Sequence, residues 1–311
     1  MSSLTLKQMR YFEALARHGH FGQAAAACAI SQPALSMQIK DLEARLGTPV
    51  FERGPRYVRL TAFGERVAAR VRDILRAVEE LDDLARAARD HLTGPLRIGV
   101  IPTIAPYLLP RIVSEMSRLH DGLDINVRES LTSTLIEELA RGRIDTAIVA
   151  LPVSEPGLEE VALFEEDFVL VRPGTDADQP VPAPERLPEM RLLLLEEGHC
   201  FREQALSFCN RSAQAPREVL DGSTLSTLVQ MVGAGIGITL IPEMAVPVET
   251  RSAPVSVARF PTPAPRRTIG MIWRRTNPLA DRLAVIAEVV RAAAGAAPGP
   301  RVATPSAALA E

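Results

Sequence analysis

The chain has 311 residues, 47% hydrophobic and 23% charged, the balance of a soluble globular protein of two or three domains. No run of about 18 apolar residues occurs, which excludes a membrane-spanning helix, and Met1 to Gln8 lacks the apolar core of a secretion signal, so the expected location is the cytoplasm. The net charge of −3 hides an asymmetry: the first 60 residues carry eight Lys/Arg against four Asp/Glu, a basic head on an acidic body that suits nucleic acid at one end.

A first helix is expected over residues 5–17, where Leu6, Met9, Phe12 and Leu15 return to one face until Gly19 ends it. A short Ala-rich helix follows over 21–28 and includes Cys28, which reads as packing. Ser31 is a good N-cap, with Gln32 and Pro33 in the first turn of a third helix. Leu35, Ile39, Leu42 and Leu46 form its buried stripe, and Gly47 stops it. The opposite side carries Pro33, Ser36, Met37 and Lys40, with Gln32 at its leading end. That chemistry fits a major groove and its phosphates. Residues 50–60 place Arg53, Arg56 and Arg59 around Gly54-Pro55, the pattern of a small β-wing. Pattern alone leaves two readings: a DNA reader, or a helical bundle whose polar face meets water.

The stretches Phe21-Gly22-Gln23-Ala24-Ala25, Ser31 through Ile39, Leu42-Glu43, Leu46-Gly47, Val50-Phe51-Glu52-Arg53 and Leu60-Thr61 resemble the winged helix-turn-helix of LysR-type regulators. The resemblance implies that the helix opening at Ser31 is the recognition helix. Ser31, Gln32, Pro33, Ser36 and Gln38 then meet double-stranded DNA, with Lys40 on the same face and Arg53 on the wing. RNA polymerase is a further partner implied by the family.

From residue 61 to 92 the apolar positions Val67, Val71, Ile74, Val78, Leu81, Ala85, Ala88 and Leu92 step by four and three, a heptad seam on a helix of about 48 Å. A helix so long with one narrow stripe wants a partner helix. The family uses this element to pair two heads, which implies a partly palindromic operator. Beyond it, residues 96–101, 124–128 and 143–150 read as strands joined by helical runs near 106–119 and 133–141. A second set follows: strands near 163–171, 191–195, 217–221 and 236–241, helices near 201–211 and 224–234, a strand at 268–273 and a last helix at 279–294. The expected fold is therefore α/β with an all-α, winged head. It comprises a winged helix-turn-helix (1–60), a linker and dimerisation helix (61–92), two α/β lobes resembling the periplasmic-binding-protein-like domain of LysR regulators (93–294), and a disordered tail (295–311).

The second lobe carries Gly198-His199-Cys200-Phe201-Arg202-Glu203-Gln204 and then Phe208-Cys209. Cys200 falls at a helix start, and that position, with His199 and Arg202 as candidate cations, favours the thiolate that attacks peroxide. The residues alone leave other readings open. The cysteines are also compatible with buried apolar packing, with a metal site short of a fourth ligand, and with a Cys–His pair that lacks an oxyanion loop.

That motif resembles the signature of OxyR, the peroxide-sensing branch of the LysR family. So do Ile98-Gly99-Val100-Ile101-Pro102-Thr103 with Pro106-Tyr107-Leu108-Leu109-Pro110, Gly235 through Pro242, and Pro265-Arg266-Arg267-Thr268-Ile269-Gly270. The resemblance implies that Cys200 reacts with peroxide and Cys209 resolves it as a disulfide. It also implies that Thr103, Thr132, His199 and Arg267, with Arg202 beside them, frame the peroxide pocket. Glu203 stands where the branch usually has Asp. If 201–209 is helical, the two cysteines lie roughly 13 Å apart, so oxidation must melt the segment. The expected function is a peroxide-switched transcription activator of oxidative-stress genes, a dimer or a tetramer of dimers. It needs no metal and no cofactor, and it is not an enzyme. The alternative is a LysR regulator that senses a small organic ligand between its lobes.

Overall fold

The computed structural model describes residues 4–54, 58–87, 93–183, 186–187, 190–208, 221–295 and 301–302. They divide into two compact units, at residues 1–85 and 86–311.

The first unit begins with α1 (Leu6–His18), α2 (Phe21–Ala27) and α3 (Gln32–Leu46). Local chemistry sets their ends. Thr5 and Gln8 form a reciprocal capping box at the start of α1, each side chain accepting the other's backbone N–H. Ser31 Oγ accepts the Ala34 amide at 3.4 Å to open α3, and Gly47, at φ +69°, closes it. Two short strands, β1 (Phe51–Arg53) and β2 (Val58–Leu60), pair antiparallel as the wing. The carboxylate of Glu43 accepts the amides of Val50 and Phe51 at 3.0 and 3.3 Å and ties α3 to the wing. Phe12, Leu15, Leu35, Ile39, Leu42 and Val50 form the core.

The long helix α4 (Ala62–Ala87) departs from the expected seam. Val71 and the neighbouring Ala68 are buried in the head's own core, with Val67 packed at its margin, so the first turns of α4 complete the head. The seam is open only further on, where Ile74 and Leu81 are 41% and 64% exposed; Leu84, beside it, is 54% exposed. Ala88 and Leu92 lie outside the described residues. No helix among the described residues is long and apolar enough to cross a membrane.

The second unit is the two-lobed α/β architecture of periplasmic-binding-protein type. In the first lobe, β3 (Gly94–Val100) pairs in parallel with β4 (Leu123–Glu129) and β5 (Thr146–Leu151). Helices α5 (Ala105–Leu119) and α6 (Thr132–Ala140) connect them. The strand β6 (Leu158–Pro173) then runs through both lobes. Of the later strands, β7 (Leu192–Leu195) and β8 (Asp221–Gly222) flank α7 (Cys200–Phe208), while α8 (Leu225–Gly233) leads to β9 (Ile238–Pro242). After the short α9 (Val246–Glu249) come β10 (Val255–Arg259), β11 (Arg266–Arg274) and α10 (Ala280–Gly295).

The sheet order is β4-β3-β5-β11-β6-β9-β7-β8. Residues 158–167 of β6 pair with β11, whereas residues 168–173 pair with β9 and β10. Two cores follow from that division. One gathers Leu96, Ile98, Ile112, Phe164 and Leu283 under α5 and α10; the other gathers Phe168, Leu193, Phe201, Leu228 and Leu240.

Strand β10 has no counterpart among the expected elements, and β6 is longer than the expected 163–171. In the segment expected as a disordered tail, β12 (Arg301–Val302) pairs with Phe164 and Glu165, on the edge of β6 opposite β11. Residues 296–300 and 303–311 lie outside the described residues.

Gly64 fixes the approach of α4 to the wing. A Cβ there would sit 2.1 Å from the carbonyl oxygen of Val50, a backbone atom that already accepts the Thr61 amide. Gly64→Ala is expected to lower the unfolding free energy of the head by about 1–3 kcal/mol in urea titrations, with overpacking as the cause.

Candidate functional site

Cys200 is the first residue of α7, and its place is set by the turn that leads into the helix. Strand β7 ends in the wholly apolar run Leu192–Leu195, all four residues buried. Gly198 follows with φ +93°, a conformation that favours glycine, and a Cβ there would come within 3.2 Å of Leu131 Cδ1. Arg202 reaches back from the first turn of α7 and donates from Nη1 to the Leu195 carbonyl at 2.7 Å, bracing the turn. Cys200 is half-buried and rests against the first lobe's core.

The cysteine opens onto a cleft of about 750 Å³. Thr132 and Ile136 of α6, Ala150 and Leu151 of β5, and Gln204 and Phe208 of α7 contribute to its wall. Two atoms of that wall are chemically conspicuous. Thr132 Oγ1 and Gln204 Oε1 are both buried, and neither has a hydrogen-bond partner among the described residues. An unpaired buried polar group costs about 1–3 kcal/mol.

Behind α7 lies a buried ion pair. Arg267 and Glu166 have fully buried side chains, with Nη2 and Nε of Arg267 at 2.8 and 2.9 Å from Glu166 Oε2. The guanidinium also donates to the hydroxyl and the carbonyl of Thr103 at 2.8 and 3.1 Å. Burial pushes the Glu166 carboxyl up, while the Arg267 charge and the Met244 amide pull it back. The ring of Phe201, next to Cys200, covers the guanidinium at 5.4 Å. A second polar chain joins the lobes: Tyr107 of α5 and Ser226 of α8 donate to the two carboxylate oxygens of Glu249 at 2.6 and 2.5 Å. Burial and that carboxylate drive the Tyr107 phenol far above its ordinary range.

Of the residues expected to frame the pocket, Thr132 lines the cleft together with Cys200. Thr103 and Arg267 bind each other beneath Phe201. His199 and Arg202 sit in the turn at the head of α7. Burial lowers the pKa of His199, partly offset by the charge of Glu196. Cys209 lies outside the described residues. Gln204 stood within the sequence motif without being singled out; only the folded helix turns its amide into the cleft wall.

In the head, the side of α3 away from Leu35, Ile39 and Leu42 is open. Ser31, Gln32, Pro33 and Lys40 are exposed, Ser36 and Gln38 half-buried, and Met37 is 59% exposed. Arg53 belongs to β1 of the wing.

Comparison with known proteins follows the same division. Residues 6–65 match the family described as "Bacterial regulatory helix-turn-helix protein, lysR family", and residues 89–295 the "LysR substrate binding domain". The chain is 44% identical over 275 residues to a "Probable hydrogen peroxide-inducible genes activator" of Streptomyces viridosporus, covering 87% of this chain and 88% of that protein. It is 38% identical over 294 residues to the "DNA-binding transcriptional dual regulator OxyR" of Escherichia coli K12, covering 93% and 95%. Among solved structures it resembles full-length OxyR of Pseudomonas aeruginosa bearing a Cys-to-Asp substitution, with a TM-score of 0.73, 34% identity and coverage of 94% and 96%. It also resembles Corynebacterium glutamicum OxyR with a Cys-to-Ser substitution and hydrogen peroxide bound, with a TM-score of 0.64, 35% identity and coverage of 94% and 93%.

The depressed pKa of His199 has a pH signature. Above the unfolded value of about 6.5 both states hold a neutral ring; below it the unfolded state takes up the proton first, so stability falls with pH. The melting temperature of the wild-type chain is expected to drop more between pH 7.5 and pH 5.5 than that of His199→Gln, measured by thermal unfolding at both pH values.

Proposed function

The chain belongs to the LysR family of bacterial transcription regulators, in its peroxide-inducible OxyR branch, and on that premise we propose that it is a DNA-binding activator of oxidative-stress genes switched by hydrogen peroxide through Cys200 and Cys209. The observation that carries this reading is the placement of Cys200. It stands at the start of α7, beside a cleft lined by Thr132 and Gln204, residue types that donate and accept hydrogen bonds.

The chemistry runs in two steps. The Cys200 thiolate attacks one oxygen of peroxide, the O–O bond breaks, and the departing hydroxide takes a proton and leaves as water, giving a sulfenic acid. Thr132 donates a hydrogen bond to the peroxide while the Gln204 side-chain oxygen accepts one from it, which orients the O–O axis at the sulfur. Cys209 then attacks the sulfenic sulfur, a second water leaves, and a disulfide remains. Geometry makes the second step a switch. From Cys200 to Phe208 the helix spans about 12 Å, and a trans peptide places the next Cα about 3.8 Å beyond Phe208 at most. The cysteine Cα atoms are therefore at least about 8 Å apart while α7 stands, against the roughly 7 Å that a disulfide tolerates. Closing the bond requires α7 to unwind, and the bond then keeps it unwound.

The head reads double-stranded DNA through Ser31, Gln32, Pro33, Ser36, Gln38 and Lys40 of the α3 face, with Arg53 on the wing. The exposed Ile74 and Leu81 seam of α4 pairs two heads on a partly palindromic operator, and dimers associate as tetramers. RNA polymerase is the partner in activation, and the cytoplasm, where operator and polymerase meet, is its place of action.

Peptide mass mapping tests the switch. Reduced protein exposed to peroxide for seconds and then alkylated is expected to yield the Cys200–Cys209 crosslink with Cys28 still free; persistence of both thiols would return the reading to a regulator that senses a small organic ligand. Gln204→Leu should slow crosslinking by about 10- to 100-fold with little change in melting temperature, the loss of one positioning contact. On the DNA side, Lys40→Gln should weaken binding evenly across operator sequences and reduce the slope of log affinity against log salt by about 1.

A further inference from the structure

Among the described residues of the head, from α1 through the wing, Leu6 and Met37 are the large apolar side chains left exposed. Met37 is the more exposed, at 59% against 43%. It joins neither the head's core nor the apolar residues packed at the margin of that core. Its place on α3 is geometric. At about 100° per residue, the buried Leu35, Ile39 and Leu42 centre on one side of the helix, and Met37 points within about 20° of the opposite direction. Pro33, one turn before it, and Lys40, one turn after it, are exposed on the same face. Met37 is the sixth of the fifteen residues of α3, in the N-terminal half that a recognition helix turns toward base edges. The one large apolar group on this face therefore stands at its centre, among small, polar and basic neighbours.

Resting on the reading of α3 as the recognition helix, we propose that Met37 is a specificity-determining contact that seats its thioether against the C5-methyl group of a thymine in the major groove. In that groove guanine, cytosine and adenine present hydrogen-bond donors and acceptors, whereas thymine adds a methyl group to its acceptor. A thioether has no hydrogen to donate and accepts weakly, so it gains little from the polar edges and most from the methyl. Its unbranched chain, with three rotatable bonds, lets it settle on that methyl without a change in the path of the helix. The neighbours divide the remaining work. Gln32 offers an amide to a base edge at the leading end of the helix, and Lys40 offers its charge to a phosphate. Since two heads pair about a two-fold axis, the same thymine is read once in each half-site.

The test removes one methyl group at a time. Full-length wild-type protein selects duplexes from a random pool, and in an enriched duplex each thymine is replaced singly by deoxyuridine, which deletes the C5-methyl and leaves base pairing intact. Affinities are read by fluorescence anisotropy at one fixed salt concentration. One thymine in each half-site is expected to lose about three- to tenfold in affinity when its methyl is removed. In Met37→Ala the same replacement should cost less than about 1.5-fold, while replacements elsewhere keep their wild-type effects. Met37→Leu, which stays apolar, should retain a penalty of at least about twofold at that thymine. Since the side chain is exposed, both variants are expected to melt at the wild-type temperature. The proposal is overturned if no thymine responds to the loss of its methyl. It is also overturned if the responsive thymine responds equally in Met37→Ala, including the case in which that variant weakens binding to every duplex alike. If the wild-type chain enriches no sequence from the pool, the failure belongs to the reading of α3 as the recognition helix, and the proposal falls with it.

Discussion

The buried pair of Arg267 and Glu166 is the constraint around which the sensing unit is built. Two charges without solvent exposure are tolerable only if every donor and acceptor around them is placed, since removing either partner leaves an ion in a low-dielectric interior. Placing them requires four separate stretches at once. Glu166 comes from β6, Arg267 from β11, Thr103 from the connection between β3 and α5, and the Met244 amide from the turn after β9. These strands come from both lobes, because β6 is shared between them. The pair therefore pins the two lobes at the strand they have in common, and Phe201 rests its ring on the pinned guanidinium.

Against that rigid pin, α7 is the element that can move. It has nine residues, fewer than the roughly 12–15 at which an isolated helix becomes stable in water. Its fully buried side chains are Phe201 and Ala205. Burying a large apolar side chain contributes about 1.5–3 kcal/mol, and of the buried residues of the second core only Phe201 and Ala205 come from α7, so unwinding the helix costs a few kcal/mol. Cys200, the residue proposed to react, is thus carried by a weakly anchored piece on a strongly anchored frame. The Tyr107–Glu249–Ser226 chain holds the lobes together elsewhere, so the loss of α7 does not depend on their separation.

What was legible in the sequence follows from how local each signal is. Thr5, Ser31 and Gly47 declare the helix ends within a few residues, and the stripe Leu35, Ile39, Leu42 is complete inside one helix, so the head reads directly. The β10 strand escapes because its partner residues lie some 80 positions earlier, as in Val255 opposite Pro173. The length of β6 is hidden by Glu159, Glu160, Glu165 and Asp167, which look like loop or surface. Within that acidic run only Glu166 is buried, and nothing local says so, since its cation is 101 residues away. The heptad seam of α4 misleads at Val71 for the same reason: a stripe announces that it will be covered, not by what. His199 shows the limit for electrostatics, since burial, which its sequence neighbours do not reveal, lowers its pKa against the pull of Glu196.

The size of the signal explains why the cleft is coupled to covalent chemistry. Hydrogen peroxide has two heavy atoms, and even the best small ligands gain about 1.5 kcal/mol per atom, so contacts alone yield about 3 kcal/mol. Throwing a two-state element from 1:99 to 99:1 takes about 5.5 kcal/mol of preference for one state over the other, and a bound ligand contributes only the difference between its affinities for the two. A molecule so small cannot supply that difference by binding. It can supply it by converting the state of one sulfur. In the proposed switch, the bond to Cys209 is geometrically forbidden while α7 stands, and once α7 has opened the bond forbids the helix. The exclusion is mutual and steric, so it needs no large binding energy, and reduction of the disulfide restores the original state.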